Sequence, residues 1–277
     1  MRALDDGQAA IHVGTSGWTY GDWQGRFYPE DIKGTSRLDY YMRYFGAVEL
    51  NASFYRLPSR TAVASWNRRI PPGFHMAVKG SRRITHVRKL LDCEEDARLF
   101  LDRMVHLTSM RVILWQLPPS LGKNLGRLRH FLSVLPTSVR HGVEFRHTSW
   151  WSPDVADLLT QYRAAWVVPS HPEFPPDVVP TSDFLYVRFH GLGCDPCRWD
   201  YSVDELSAWV ERLRPHLAGR ELYAFFNNDF AANAVKNAGQ FRELLRDAAT
   251  GRMVGNVLPH RVQASRPPAD PSGCRSS

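Results

Sequence analysis

Apolar residues along the chain follow two alternating periods. Short β-branched or aromatic runs occur at 11–14, 47–51, 75–79, 112–116, 142–145, 165–168, 184–189 and 222–226. Between them lie segments whose apolar residues recur at i, i+3, i+4 and i+7, the spacing that lines one face of a helix. Leu38, Tyr41, Met42 and Phe45 make one such stripe, and Ala231, Ala234, Val235 and Ala238 make the last. Leu206, Trp209, Val210 and Leu213 make another, preceded by Ser202 and Glu205 at capping-box spacing. Pro153 follows Ser152 ahead of Val155, Leu158, Leu159 and Tyr162, a start signal for a further helix.

Strands that alternate with helices form parallel βαβ units, and eight of them close into a (β/α)8 TIM-type barrel, an α/β fold. The crossover after the sixth run lacks a stripe: residues 169–183 carry five prolines, each fixing φ and removing a backbone donor, so an extended cover is expected there. A doubly wound sheet is the alternative, but no Gly-x-Gly-x-x-Gly follows any strand. The barrel is expected to be one domain over 11–248, with an N-terminal extension over 1–10. The Gly-, Pro-, Ser- and Arg-rich stretch over 249–277 has no apolar periodicity and reads as a disordered tail.

Composition narrows the class. The chain has 277 residues and is 43% hydrophobic, enough for a sizeable core. No apolar run reaches the roughly 18–20 residues of a membrane helix, and the start carries Asp5 and Asp6 in place of a signal-peptide apolar stretch. A cytoplasmic protein with no membrane partner is expected. Cys93, Cys194, Cys197 and Cys274 are too scattered for a disulfide framework, so reduced thiols are expected. The formal charge is +7 and comes from arginine, since lysine occurs only at Lys33, Lys79, Lys89, Lys123 and Lys236. Arginine suits carboxylates and phosphates, so anionic partners are favoured, nucleic acid among them, although no basic cluster marks a nucleic-acid footprint.

Candidate chemistry collects where the strands end, the active face of this architecture. Glu49 and Asn51 lie two residues apart at the end of the second strand and so share a face, as do Glu144 and Arg146 after the fifth and Arg188 and His190 in the seventh. Lys79 ends the third strand, Gln116 the fourth, and Asn227, Asn228 and Asp229 the eighth. Glu49, Glu144 and Asp229 oppose Lys79, Arg146 and Arg188, a nearly neutral set that reads either as an internal ion-pair network or as a ligand site. Trp18, Tyr20, Trp23, Tyr55, Trp150, Trp151, Trp199 and Tyr201 crowd the same face. They serve as packing, or as flat surfaces for a ring-bearing ligand.

Asp229 is expected to cap the following helix, whose free N–H groups, with Asn227, Asn228 and Arg188, would bind a phosphate. Cys194 and Cys197 have the spacing of half a zinc site without the other half, so an ordinary loop is the simpler reading. Three cations in the ring oppose a free metal, so no cofactor is expected and a divalent metal is disfavoured, although Glu49, Glu144, His190 and Asp229 offer ligand atoms.

The ordered motifs Gly14-Thr-Ser-Gly-Trp18, Phe27-Tyr-Pro29, Glu49-Leu-Asn51, Ser53-Phe-Tyr-Arg56, Thr85-His86, Gln116-Leu-Pro-Pro119, Glu144-Phe-Arg-His147, Arg188-Phe-His-Gly191 and Phe226-Asn-Asn-Asp229 resemble the YecE-like family, catalogued as domain of unknown function seventy-two. The resemblance spans nearly all of 11–248 and implies a barrel of this class. It brings no assigned activity. Two positions depart from it: Ser170 and His171 stand where the family implies an acidic residue, and the Cys194–Cys197 loop is peculiar to this chain.

Three functions fit these residues. In the first, an enzyme acts on an anionic, ring-bearing small molecule such as a phosphorylated sugar or nucleotide-like compound. Lys79, Arg146 and Arg188 would hold the anion, Glu49, Lys79, Glu144 and His190 would form the catalytic set, and one of the two glutamates would be the general base and the other the acid. In the second, a nucleic-acid-binding or phosphodiester-cleaving protein uses the same arginines on the backbone. In the third, the barrel binds a ligand without turnover. The sequence assigns no oligomeric state.

Overall fold

The computed structural model describes residues 9–250, so the extension over 1–10 and the tail over 249–277 lie almost entirely outside the described residues. Eight parallel strands, β1 (Ile11–Thr15), β2 (Ala47–Leu50), β3 (His75–Lys79), β4 (Met110–Gln116), β5 (Arg140–Glu144), β6 (Ala165–Ser170), β7 (Phe184–Phe189) and β8 (Glu221–Phe226), form one sheet in the order β1-β8-β7-β6-β5-β4-β3-β2. Every apolar run is a strand, because successive side chains serve two different layers. Ala47, Ala77, Leu114, Val167, Tyr186 and Phe225 point inward and fill the barrel with a cluster of their own. Val48, Val78, Ile113, Val168, Val187 and Ala224 point outward into a larger cluster shared with the helices.

The outer layer consists of α1 (Ser36–Tyr41), α2 (Ala52–Tyr55), α3 (Arg60–Arg69), α4 (Glu94–Met104), α5 (Leu125–Ser133), α6 (Pro153–Gln161), α7 (Val203–Leu213) and α8 (Asn233–Thr250). The Ser202–Glu205 capping box forms at the start of α7, and Pro153 opens α6. No helix joins β6 to β7 among the described residues, as the prolines require. Instead Thr181 pins that stretch to the barrel, its Oγ1 accepting from the Trp166 N–H at 2.8 Å and donating to the Ala164 carbonyl at 2.7 Å.

The stripe expected from Ala231 begins later. Ala231 and Ala232 adopt left-handed conformations with φ of 55° and 63°, so the chain kinks and α8 starts at Asn233.

One joint of the barrel departs from the ladder pattern. β1 and β2 meet through a single bridge, Ser16 to Glu49. Below it the Tyr41 hydroxyl is inserted between the strands, accepting from the Thr15 N–H at 2.9 Å and donating to the Ala47 carbonyl at 3.0 Å. Gly14 makes this approach possible, since a Cβ there would collide with the Ala47 carbonyl.

This seam sets a testable expectation. Tyr41→Phe leaves a buried N–H and a buried carbonyl unpaired and should lower unfolding stability by about 1–3 kcal/mol. Gly14→Ala should cost more than Tyr41→Phe, because backbone must move. Urea unfolding midpoints measure both, and an unchanged midpoint for Gly14→Ala would refute the tight seam.

Candidate active site

The inward row that is apolar at mid-barrel turns ionic at the carboxyl ends of the strands. Glu49 of β2, Glu144 of β5 and Arg188 of β7 are all buried there. Arg188 makes a two-pronged contact with Glu49, donating from Nε to Oε2 at 2.9 Å and from Nη2 to Oε1 at 2.7 Å, and its Nη1 donates to Glu144 Oε2 at 2.7 Å. Glu49 also accepts from Ser16 Oγ at 2.8 Å and from Tyr186 Oη at 2.7 Å, so each of its oxygens has two donors. Burial alone would favour the neutral forms of these groups. It works against the Arg188 charge, but Glu49 and Glu144 overcome it and raise the guanidinium pKa. Burial likewise pushes the Glu144 carboxyl up, yet Arg146 and Arg188 hold it well below the usual carboxylate range.

A second tier stands above this core. Arg146 Nε donates to Glu144 Oε1. Arg146 Nη2 lies 2.6 Å from His190 Nε2 and Glu144 Oε1 lies 3.2 Å from the same nitrogen; because a guanidinium N–H can only donate, the ring accepts that bond only when it is not doubly protonated. His190 is therefore neutral, in keeping with a pKa pushed well below the ordinary histidine value by burial and then by Arg146. Lys79 at the end of β3 is half-buried, with its Nζ 4.3 Å from the centre of the Phe54 ring. No ion pair joins Lys79 to a carboxylate among the described residues. Burial first, and Arg188 second, lower its pKa to about 8.

These side chains open onto a cavity of about 500 Å³. Of the residues singled out in the sequence, Asn51, Tyr55, Lys79, Gln116, Arg146, Arg188, His190 and Asn227 line it. Glu49 and Glu144 lie behind Arg188 and Arg146 and are fully buried.

Three expected residues lie elsewhere. Trp150 is 1% exposed, stacks on Phe145 at 4.8 Å and donates to the Leu121 carbonyl, so it belongs to the packing layer. Asn228 is buried and donates to the Trp199 carbonyl and Asn237 Oδ1, tying a loop to α8. Asp229 is not part of the cavity lining and makes no capping hydrogen bond. The anion site expected at the next helix also loses a donor, because the Ala231 N–H is taken by Asp22 Oδ2 at 2.6 Å.

Tyr20, His171 and Cys197 also line the cavity; Tyr20 is among the crowded aromatics and Cys197 in the half-zinc spacing, but none of the three is in the candidate site set. Of the crowded aromatics, Tyr20 and Tyr55 face the cavity, while Trp23 and Tyr201 are core.

The charge balance changes as a result. Without Asp229 the cluster holds Lys79, Arg146 and Arg188 against Glu49 and Glu144, so the cavity carries a net positive charge while Lys79 is protonated. Both carboxylates are paired with guanidinium partners. Among the described residues, no group of three metal-competent side chains within ligand distance lies at this end of the barrel.

Comparison with known proteins is consistent with this architecture. Residues 12–262 match the family described as "Protein of unknown function DUF72", and the chain belongs to that family. It is 27% identical to the UPF0759 protein YunF of Bacillus subtilis over 273 residues, covering 85% of this chain and 94% of that protein. It is 31% identical to the UPF0759 protein YecE of Escherichia coli over 144 residues, an alignment spanning 51% of this chain and 50% of that protein. A crystal structure of a DUF72 family protein from Thermotoga maritima superposes with a TM-score of 0.76 at 30% identity, covering 86% of this chain and 99% of that one. A second from Enterococcus faecalis gives 0.69 at 20% identity and covers 91% of this chain and 100% of that one, a likeness of fold alone.

Removing Arg188 while leaving its partners should unfold the cluster. Arg188→Met is expected to cost about 3–5 kcal/mol, because buried Glu49 loses its guanidinium partner and Glu144 keeps only Arg146. Adding Glu49→Gln and Glu144→Gln should restore much of that loss. Urea titrations of the single and triple variants decide it, and equal stability of the two would show that charge compensation is not what the guanidinium provides.

Proposed function

We propose that this member of the DUF72 family is an enzyme that takes an anionic, hydroxyl- and ring-bearing small molecule, such as a phosphorylated sugar or a nucleotide-like compound, into the cavity above Arg188. The observation that carries this reading is Lys79, the cationic side chain of the cluster left without a carboxylate while Glu49 and Glu144 are saturated by Arg188 and Arg146. A net positive, partly desolvated pocket favours an anion, since burial strengthens each charge interaction.

Other groups support the ligand class. Asn51 Oδ1 is buried and has no hydrogen-bond partner, an acceptor suited to a ligand hydroxyl. Tyr20 and Tyr55 supply ring surfaces at the mouth, Tyr55 being 79% exposed.

The acid–base roles move away from the two glutamates. Each oxygen of Glu49 already has two donors, and Glu144 is locked between two guanidiniums. Lys79, with a pKa near 8, can both give and take a proton close to neutral pH, the condition for efficient general acid–base catalysis. Neutral His190 stands beside Arg146 as the second group able to relay a proton.

The test is calorimetric binding of inorganic phosphate, a phosphorylated hexose and the same hexose without phosphate. The two anionic compounds should bind and the neutral one should not. Lys79 is charged below about 8 and neutral above it, so affinity should fall roughly tenfold between pH 7 and 9, with proton uptake on binding near pH 8. Lys79→Met should bind weakly and without that pH dependence, whereas Lys79→Arg should bind with the dependence removed. Preference for the neutral hexose would overturn the reading. Tight binding of a single-stranded oligonucleotide with a steep salt slope would favour a nucleic-acid ligand instead.

A further inference from the structure

At the amino-terminal end of the barrel the interior turns polar again, around residues with no part in the site above. The rings of His12 on β1 and His75 on β3 stack with centroids 3.8 Å apart and planes 22° from parallel. Glu221 on β8 joins them, its Oε2 lying 3.5 Å from His12 Nε2. One potential ligand atom from each of the three residues lies within 4.8 Å of the other two.

The hydrogen bonds orient these groups. Tyr223 Oη donates to Glu221 Oε2 at 2.9 Å, so its oxygen is left to accept from His75 Nδ1 at 3.1 Å. That puts the His75 proton on Nδ1 and the lone pair on Nε2. His12 Nε2 is buried and makes no hydrogen bond. We propose that His12, His75 and Glu221 bind a divalent cation of the zinc class at the amino-terminal end of the barrel, tying β1 to β3 and β8.

The chemistry of the donors fits. Two imidazoles and a carboxylate are a common set for zinc and its neighbours, and the Glu221–Tyr223–His75 chain is the kind of outer-shell support that fixes a ligand's tautomer. Bonds of about 2.0–2.1 Å place tetrahedral ligand atoms roughly 3.3 Å apart, so binding requires the stacked rings to turn toward a common point from a spread of up to 4.8 Å. A cation here would share Glu221 with the Arg140 guanidinium. Arg140 lies 2.9 Å from Glu221 and 3.0 Å from Asp183, and with Arg111 nearby the four charged groups sum to zero.

Both rings are neutral. His75 is pushed down to about 4 by burial, with His12 and Arg111 adding, and His12 is lowered mainly by burial against the pull of Glu221. No proton needs displacing at neutral pH. Glu221, with Arg140 and Asp183, also lines a cavity of about 380 Å³. The location also gives the ion work to do, since β1 and β2 meet through one bridge at the opposite end and His12 reaches across that seam to β3.

Equilibrium dialysis of the full chain against zinc chloride at pH 7 tests the proposal, using the parent protein, His12→Gln, His75→Gln, Glu221→Gln and a Cys194→Ser/Cys197→Ser control. The expected result is one zinc per chain, weakened roughly tenfold or more in each of the first three variants and unchanged in the control, with a rise in thermal midpoint on adding zinc to the parent. Cobalt(II) added to the parent gives a reading that needs no variant: the ring signals of His12 and His75 should be broadened in its NMR spectrum. Absence of binding, binding insensitive to the histidine variants, or cobalt broadening confined to other histidines would overturn the site.

Discussion

Arg188 carries a full charge into the interior of the barrel, and the two carboxylates that make this tolerable set much of what surrounds it. A guanidinium out of water is costly unless its donors are met, and its fork reaches Glu49 and Glu144 at 2.7–2.9 Å from strands on either side of the barrel. Meeting that requirement draws in Ser16 and Tyr186 to complete Glu49, and Arg146 to share Glu144. Burial and Arg146 in turn hold His190 neutral. The apolar layer of Ala77, Leu114, Val167 and Phe225 beneath keeps water from competing for these bonds.

The same network explains why one cation is left over. β2 and β5 supply the carboxylates and β7 the guanidinium that satisfies them, so the lysine contributed by β3 has an aromatic face and no acid. A half-buried cation without a counter-charge is unfavourable for the fold alone, and such a group is understood most simply as one whose partner arrives from outside. At the other end of the barrel the pattern is reversed. There two neutral imidazoles and a carboxylate come together, and the partner proposed for them is a cation.

Much of the fold was legible in the sequence because its signals are local. Strands such as 184–189 must bury both faces and so read as continuous apolar runs, and the five prolines of 169–183 forbid a helix whatever surrounds them. The ring of polar strand-end residues was legible for the same reason: a spacing of two puts Glu49 with Asn51 and Arg188 with His190.

What stayed hidden depends on contacts between distant segments. Trp150 and Asn228 follow strands closely enough to suggest the cavity, yet Phe145 and Asn237 hold them in the packing layers. Asp229 fails to cap because Asp22, more than two hundred residues earlier, already holds the Ala231 N–H. The partnership of His12, His75 and Glu221 joins three strands far apart in the chain, and no periodicity announces it.

The protonation of Lys79 is the most direct measure of whether the cluster leaves one cation unmatched. With only five lysines in the chain, the ε-methylene signals of ¹³C-labelled protein can be resolved and followed against pH. Lys79 should titrate near 8, and its midpoint should move upward when a phosphorylated hexose is added, because an anion in the cavity stabilises the ammonium. Titration in the ordinary lysine range of about 10.4, with no response to the ligand, would contradict both the desolvated, unpaired cation and the anion site built on it.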